Sequence, residues 1–179
     1  MIVALALLVA AAFGAGDQYL GSFSMHPWMA DVSLLSAPWL VLPFLAGCTQ
    51  RESKKAALLG LGCTFAALVG YGVMTLSPVE NAHVSVASVR GFIISEQRVI
   101  LGGLLTGPLF GWFGQRRRVD RAWLGALATA AALCLEPLAR AHAGQAIRSE
   151  KVLLAEVALG LAMAGYFAAS MIASREPAR

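Results

Sequence analysis

Six apolar runs, at residues 2–20, 32–49, 56–76, 99–114, 122–141 and 152–172, are separated by short polar links. Crossing about 30 Å of hydrocarbon takes roughly 20 residues of helix at about 1.5 Å each. Each run is close to that length, the fourth being the shortest. Starting the fourth near Gly91 would carry Glu96 and Arg98 into its outer end. Hydrophobic residues make up 58% of the chain and charged residues 13%, whereas a water-soluble domain carries about 25% charged residues. The expected fold is all-α: a single-domain polytopic membrane helix bundle of six transmembrane helices.

The basic residues orient it. The link QRESKK holds Arg51, Lys54 and Lys55, the link QRRRVDR holds Arg116, Arg117, Arg118 and Arg121, and the tail adds Arg175 and Arg179. These nine fall on one side of the six runs, and Arg90, Arg98, Arg140, Arg148 and Lys151 fall on the other. Lysine and arginine are retained on the cytoplasmic side, so both termini are expected in the cytoplasm of a plasma-membrane protein, with residues 77–98 outside. The clusters account for the net charge of +4 without nucleic acid as a partner. No basic residue precedes the first run, which therefore reads as a span rather than a cleaved signal peptide. Cys48, Cys63 and Cys134 lie in or beside apolar runs, without the spacing of a disulfide framework or a zinc site.

Lipid supplies no hydrophobic reason for helices to associate, so close packing depends on small residues. Gly103, Gly107 and Gly111 recur every four residues along the fourth run, and Ala6 with Ala10, or Ala11 with Ala15, do so along the first. The glycine face serves either packing within the bundle or docking of another subunit. Pro38, Pro43 and Pro108 are expected to kink their helices, each removing a backbone donor. A helix ending at Pro137 would leave only residues 122–135, about 21 Å, so the fifth helix must run through that proline to near Ala141. A shift of 65 residues lays Pro43 on Pro108, Gln50 on Gln115, Arg51 on Arg116, Gly60 on Gly125 and Thr64 on Thr129. That register suggests a parallel repeat of helices two–three and four–five. SPVE at 77–80 has the form of a capping box, and the polar stretch after it is expected to form a short helix on the outer surface.

Asp17, Glu136 and Glu156 lie at a common depth, roughly 6 to 8 Å below the outer surface, and no acid lies comparably deep on the inner side. His26, His83, His142, Asp31, Glu80 and Glu96 are also on the outer side. An ionisable group inside a bilayer costs about 3 kcal/mol or more and normally faces a partner or water. One reading is an outward-facing pocket for a small solute or ion, lined by Asp17, Glu136, Arg140 and Glu156 with Trp39 and His83 at its mouth. The other is structural: Glu136 and Arg140 neutralise each other at i, i+4, and Asp17 marks an emerging helix end. No phosphate loop, HExxH, CxxC, GxSxG or GxGxxG occurs, so no enzyme activity, cofactor or metal is expected. The partners expected are the lipid bilayer, a small solute or ion, and another membrane subunit or a second copy.

The stretches SAPWLVLPFLAG, LTGPLFGWFG and LEPLARA, in that order, with DQYLGS closing the first run, resemble a family of small multi-spanning membrane proteins of high-GC Gram-positive bacteria, a domain of unknown function. The resemblance covers most of the chain and is most specific at Ala37-Pro38-Trp39 and Gly107-Pro108. It implies a multi-spanning plasma-membrane protein and supplies no activity, cofactor or catalytic residue. The long polar segment after Ser77 departs from that pattern. In outline the chain is also similar to the substrate-binding subunits of energy-coupling-factor transporters, with six helices, a small-residue motif in the first and an outward-facing ligand pocket. No vitamin-binding motif accompanies that outline.

Overall fold

The computed structural model describes residues 1–22, 26–78, 83–145 and 147–173. Among them are helices α1 (Ile2–Gly21), α2 (Pro27–Ser33), α3 (Ala37–Gly47), α4 (Ser53–Thr75), α5 (Val86–Ser95), α6 (Gln97–Val119), α7 (Leu124–His142) and α8 (Glu150–Ala173), with no strand among the described residues. Four of these, α1, α4, α7 and α8, are long and apolar enough to cross a membrane. The pair α2 and α3 makes a fifth if counted as one span bent by 50°. At 23 residues α6 is long enough, but Arg98 near one end and Arg116, Arg117 and Arg118 at the other shorten its apolar part.

The expected second span is therefore two helices, and Pro38 does not kink a continuous one. It sits in the first turn of α3, where its missing N–H costs nothing and its fixed φ favours starting a helix. Pro43 and Pro108 lie inside α3 and α6. As the length argument required, α7 runs through Pro137, ending at His142. The helix at the expected fourth span, α6, begins at Gln97 rather than near Gly91, which belongs to α5.

The centre of the bundle is α4, held by backbone-to-backbone seams. A Cβ on Gly14 of α1 would stand 1.9 Å from the Ala67 carbonyl oxygen, and one on Gly70 would stand 2.0 Å from that of Ala11. On the other face, a Cβ on Gly111 of α6 would stand 2.4 Å from the Ala56 oxygen, while Gly107 and Gly103 meet Thr64. The Gly103, Gly107 and Gly111 stripe thus seats α6 on α4 of the same chain, and that face is filled from within. A third seam joins α6 to α3: a Cβ on Gly47 would stand 1.9 Å from the Gly111 oxygen, and one on Gly114 would stand 2.0 Å from that of Phe44.

Short polar links close the end of the bundle that carries the QRESKK and QRRRVDR stretches. Ser53 donates to Gln115 at 3.0 Å, Gln115 donates to the Arg51 carbonyl at 3.0 Å, and Arg118 donates to the carbonyls of Cys48 and Thr49 at 3.0 and 2.8 Å. The short helix expected after Ser77 is α5, capped by Ser85: its hydroxyl accepts from the Ser88 N–H at 3.0 Å, and the Ser88 hydroxyl accepts from the Ser85 N–H at 2.8 Å. Glu80, most of the capping box expected at 77–80, and the tail residues Arg175 and Arg179 lie outside the described residues.

Forcing a methyl group into these seams must separate the helices. Gly47→Ala is expected to lower stability in detergent by about 1 to 3 kcal/mol, the usual cost of overpacking. Gly102→Ala, where nothing lies within 4 Å, is expected to be neutral or slightly stabilising. Thermal unfolding followed by circular dichroism or size exclusion separates the two.

Candidate functional site

The site is built on the amino end of α3. The first N–H groups of any helix lack a partner inside it, and the Ser36 cap residue, with φ −95° and ψ −28°, makes no side-chain cap of its own. Glu136 of α7 supplies one from 100 residues away. Its Oε1 accepts from the Ser36 N–H and its Oε2 from the Ala37 N–H, both at 2.5 Å. A carboxylate there also sits at the positive end of the helix dipole. One turn further along α7, Arg140 donates from Nε to Glu136 Oε1 at 2.7 Å and from a terminal nitrogen to the Ser36 hydroxyl at 2.9 Å. The expected i, i+4 pair is present, and it also pins the α2–α3 break to α7.

Glu156 of α8 is 4% exposed and lies close enough to feel both the Glu136 carboxylate and the Arg140 guanidinium. No hydrogen-bond donor among the described residues reaches either of its oxygens. Glu156 does meet the Glu136 carboxyl, and two carboxyl groups bond only through a shared proton. Because a buried carboxylate with no partner is disfavoured by several kcal/mol, Glu156 carries that proton and donates to Glu136, so the cluster holds two carboxyl groups, one proton and one guanidinium.

Glu156 forms part of the wall of an open-sided cleft of about 1020 Å³. Leu133 of α7, Pro38 of α3 and Leu159 of α8 are also in its wall, Trp28, Val32 and Leu35 lie on the side of α2, and Arg148, Ser149, Glu150 and Lys151 line it at the start of α8. Asp31 fastens α2 there: it is 4% exposed and its Oδ2 accepts from the Ser149 N–H at 2.6 Å. The sequence places Asp31 on the outer side without marking it as a link between α2 and α8. That pairing joins residues 118 apart, and no local pattern encodes it. Trp28 is likewise a cleft residue that the sequence marks only as an aromatic near the outer surface.

The other expected site residues lie elsewhere. Asp17 of α1 is 8% exposed, and the Trp39 indole N–H donates to its carboxylate. Trp39 packs edge-on against Phe13 at 5.4 Å and Tyr71 at 6.1 Å. This pair belongs to the α1 and α4 side of α3, while Glu136, Arg140 and Glu156 gather on the α7 and α8 side. Two of the three expected acids therefore meet, and the third does not join them. His83 is exposed just before α5, where its carbonyl accepts from the Ser88 hydroxyl at 2.9 Å. Neither Trp39 nor His83 lines the Glu156 cleft. Among the described residues no three His, Cys, Asp or Glu side chains are grouped so as to hold a metal ion. No family, no curated protein and no solved structure matches this chain.

The two neighbouring acids should respond oppositely to substitution. Glu136→Ala strands Arg140 and two helix N–H groups, and is expected to cost about 3 to 5 kcal/mol, as for breaking a buried ion pair. Glu156→Gln keeps the volume and a hydrogen-bond donor toward Glu136, so the melting temperature in detergent is expected to stay level or rise. Parallel melts of both variants test this.

Proposed function

We propose that this chain is an integral plasma-membrane protein of six spans, both termini cytoplasmic, whose outer half holds a polar pocket that binds or helps to move a small solute or ion. The observation that carries the reading is the cluster of Glu136, Arg140 and Glu156, three ionisable side chains gathered beside a cleft whose wall includes Glu156. Inside a bilayer ionisable side chains are most often functional. The six-span count takes α2 with α3 as one span and α6 as another, and the placement of nine of the basic residues on one side supports the orientation. The resemblance to small actinobacterial-type membrane proteins agrees with this placement. The role we propose for it is binding rather than catalysis. The other reading, a structural subunit docked through the glycine face of α6, loses support because α4 fills that face.

Cysteine labelling tests the reading. In a background with Cys48, Cys63 and Cys134 replaced by alanine, Lys151→Cys is expected to react with a membrane-impermeant maleimide in intact cells, and Lys54→Cys only after permeabilisation. In nanodiscs free of amine-bearing lipid, Ala155→Cys, in the wall of the cleft, is expected to react. Leu154→Cys, exposed on the neighbouring face of α8 and outside that wall, is expected not to. Equal silence at 155 and 154 would mean that lipid rather than water fills the cleft, and the pocket reading would fall.

A further inference from the structure

The proton in the acid cluster has a defined place. An ionised carboxylate offers about four lone-pair sites, and N–H donors from Ser36, Ala37 and Arg140 fill three of those on Glu136. Glu136 is therefore the ionised member, and its last site receives the Glu156 hydroxyl. With that proton the cluster is neutral. Without it, two carboxylates touch beside a single guanidinium, at a position only 4% exposed. No other charge around Glu156 compensates. From α7, Glu136 and Arg140 are the charges it feels, and His142 at the end of that helix is exposed. From α2, Asp31 is engaged by the Ser149 N–H, and His26 ahead of that helix is exposed. The Ser36 and Ala37 N–H groups at the start of α3 are spent on Glu136. At the start of α8, Arg148, Glu150 and Lys151 are exposed, and Lys151 lies about 7.5 Å along the helix.

The grip of α8 on its neighbours is uneven. One turn beyond Glu156, Gly160 seats closely on Ala130, Leu133 and Cys134. Toward the amino end the polar holds are the Glu156 contact with Glu136 and the single hydrogen bond from Ser149 to Asp31. Val152, one turn ahead of Glu156 on the same face of α8, is 7% exposed. The cavities set the path by which a proton can leave. A groove of about 480 Å³ adjoins the cleft at Pro38 and Leu159 and runs between α1 and α3, and apart from Cys63 and Thr49 its wall is apolar. The cleft itself reaches the charged residues at the start of α8, where water can accept the proton.

We propose, resting on the pocket reading above, that Glu136 and Glu156 form a proton-binding site beside the cleft, and that the bound proton latches the first turns of α8 onto α7. Loss of the proton to water leaves the Glu156 carboxylate against that of Glu136. The two repel in a buried site, α8 parts from α7 ahead of Gly160, and the cleft widens. Low pH keeps the latch closed and high pH opens it.

The test uses the full-length protein in nanodiscs free of amine-bearing lipid, from about pH 6 to about pH 9, where a carboxyl in water is ionised throughout. Infrared difference spectra read the proton. A carboxylic-acid carbonyl band that fades as the pH rises, is missing from Glu156→Gln and survives in Asp17→Asn is the expected result. Opening is read in the same alanine background as the maleimide reactivity of Val152→Cys relative to Lys151→Cys, a ratio in which the ionisation of the thiol cancels. It is expected to rise about tenfold or more across the range, because repulsion between buried carboxylates exceeds the about 1.4 kcal/mol that a tenfold shift represents. In Glu156→Gln, whose amide keeps its bond to Glu136 at every pH, the ratio is expected to stay low and flat. Both pH dependences are measured on protein that retains Glu156, so neither relies on the folding of Glu156→Gln. Infrared spectra that are the same for wild type and Glu156→Gln, or a labelling ratio indifferent to pH, overturn the inference. Ala155→Cys, at an exposed position in the closed form, separates the two readings. If it reacts at every pH while Val152→Cys does not respond, the hydrated pocket stands and the latch falls. If it is silent throughout, the pocket reading falls and the latch with it.

Discussion

The arrangement depends on a helix too short for its place. At 11 residues, α3 covers about 16 Å, roughly half the hydrocarbon thickness, yet it packs against α4, α6 and α7. Its ends carry free N–H and C=O groups that lipid cannot satisfy. Both are met by charged side chains from other helices. Glu136 of α7 receives the N–H groups of Ser36 and Ala37, and Arg118 of α6 reaches the carbonyls of Cys48 and Thr49. An anion at the amino end and a cation at the carboxyl end match the helix dipole. A bent, broken span becomes tolerable inside a membrane protein where its loose backbone is held this way.

The glycine seams explain why the cleft lies where it does. Helices α1 and α6 approach α4 so closely that no side chain fits between them at Gly14, Gly70 or Gly111. By contrast α8 rests on α7, with Gly160 against Ala130, Leu133 and Cys134, and its carboxyl-terminal half is tied in by Phe167 set edge-on to Phe44 at 5.9 Å. At its amino end α8 also meets the small helix α2, where Asp31 accepts from the N–H of Ser149 just ahead of α8. The gap left there is the Glu156 cleft, and the space between α1 and α3 beneath it is the adjoining groove.

Depth alone assigned one role to acids that have three. Asp17 holds the Trp39 indole, Glu136 caps a helix, and Glu156 lies against the Glu136 carboxyl. All three are readable as carboxylates one turn or so below a surface, because 1.5 Å per residue converts position into depth. Depth is one coordinate; the partner is set by rotation about the helix axis and by which helices are neighbours.

By itself the sequence determined an all-helical chain of apolar runs compatible with a membrane, a helix that must continue through Pro137, a close-packing glycine face on α6, and the pairing of Glu136 with Arg140. Each follows from a local rule: span length, backbone donors, side-chain size, or the i, i+4 spacing. Only the tertiary structure decided that the run at 32–49 breaks ahead of Pro38, that α4 fills the glycine face, and that Asp31 ties α2 to α8. It also decided that Glu156, rather than Asp17, joins Glu136 and Arg140. Those outcomes turn on contacts between different helices, from Glu156 with Glu136 in adjacent helices to Asp31 with Ser149, residues 118 apart. Such contacts depend on which helices become neighbours, and no pattern within a single helix contains that information.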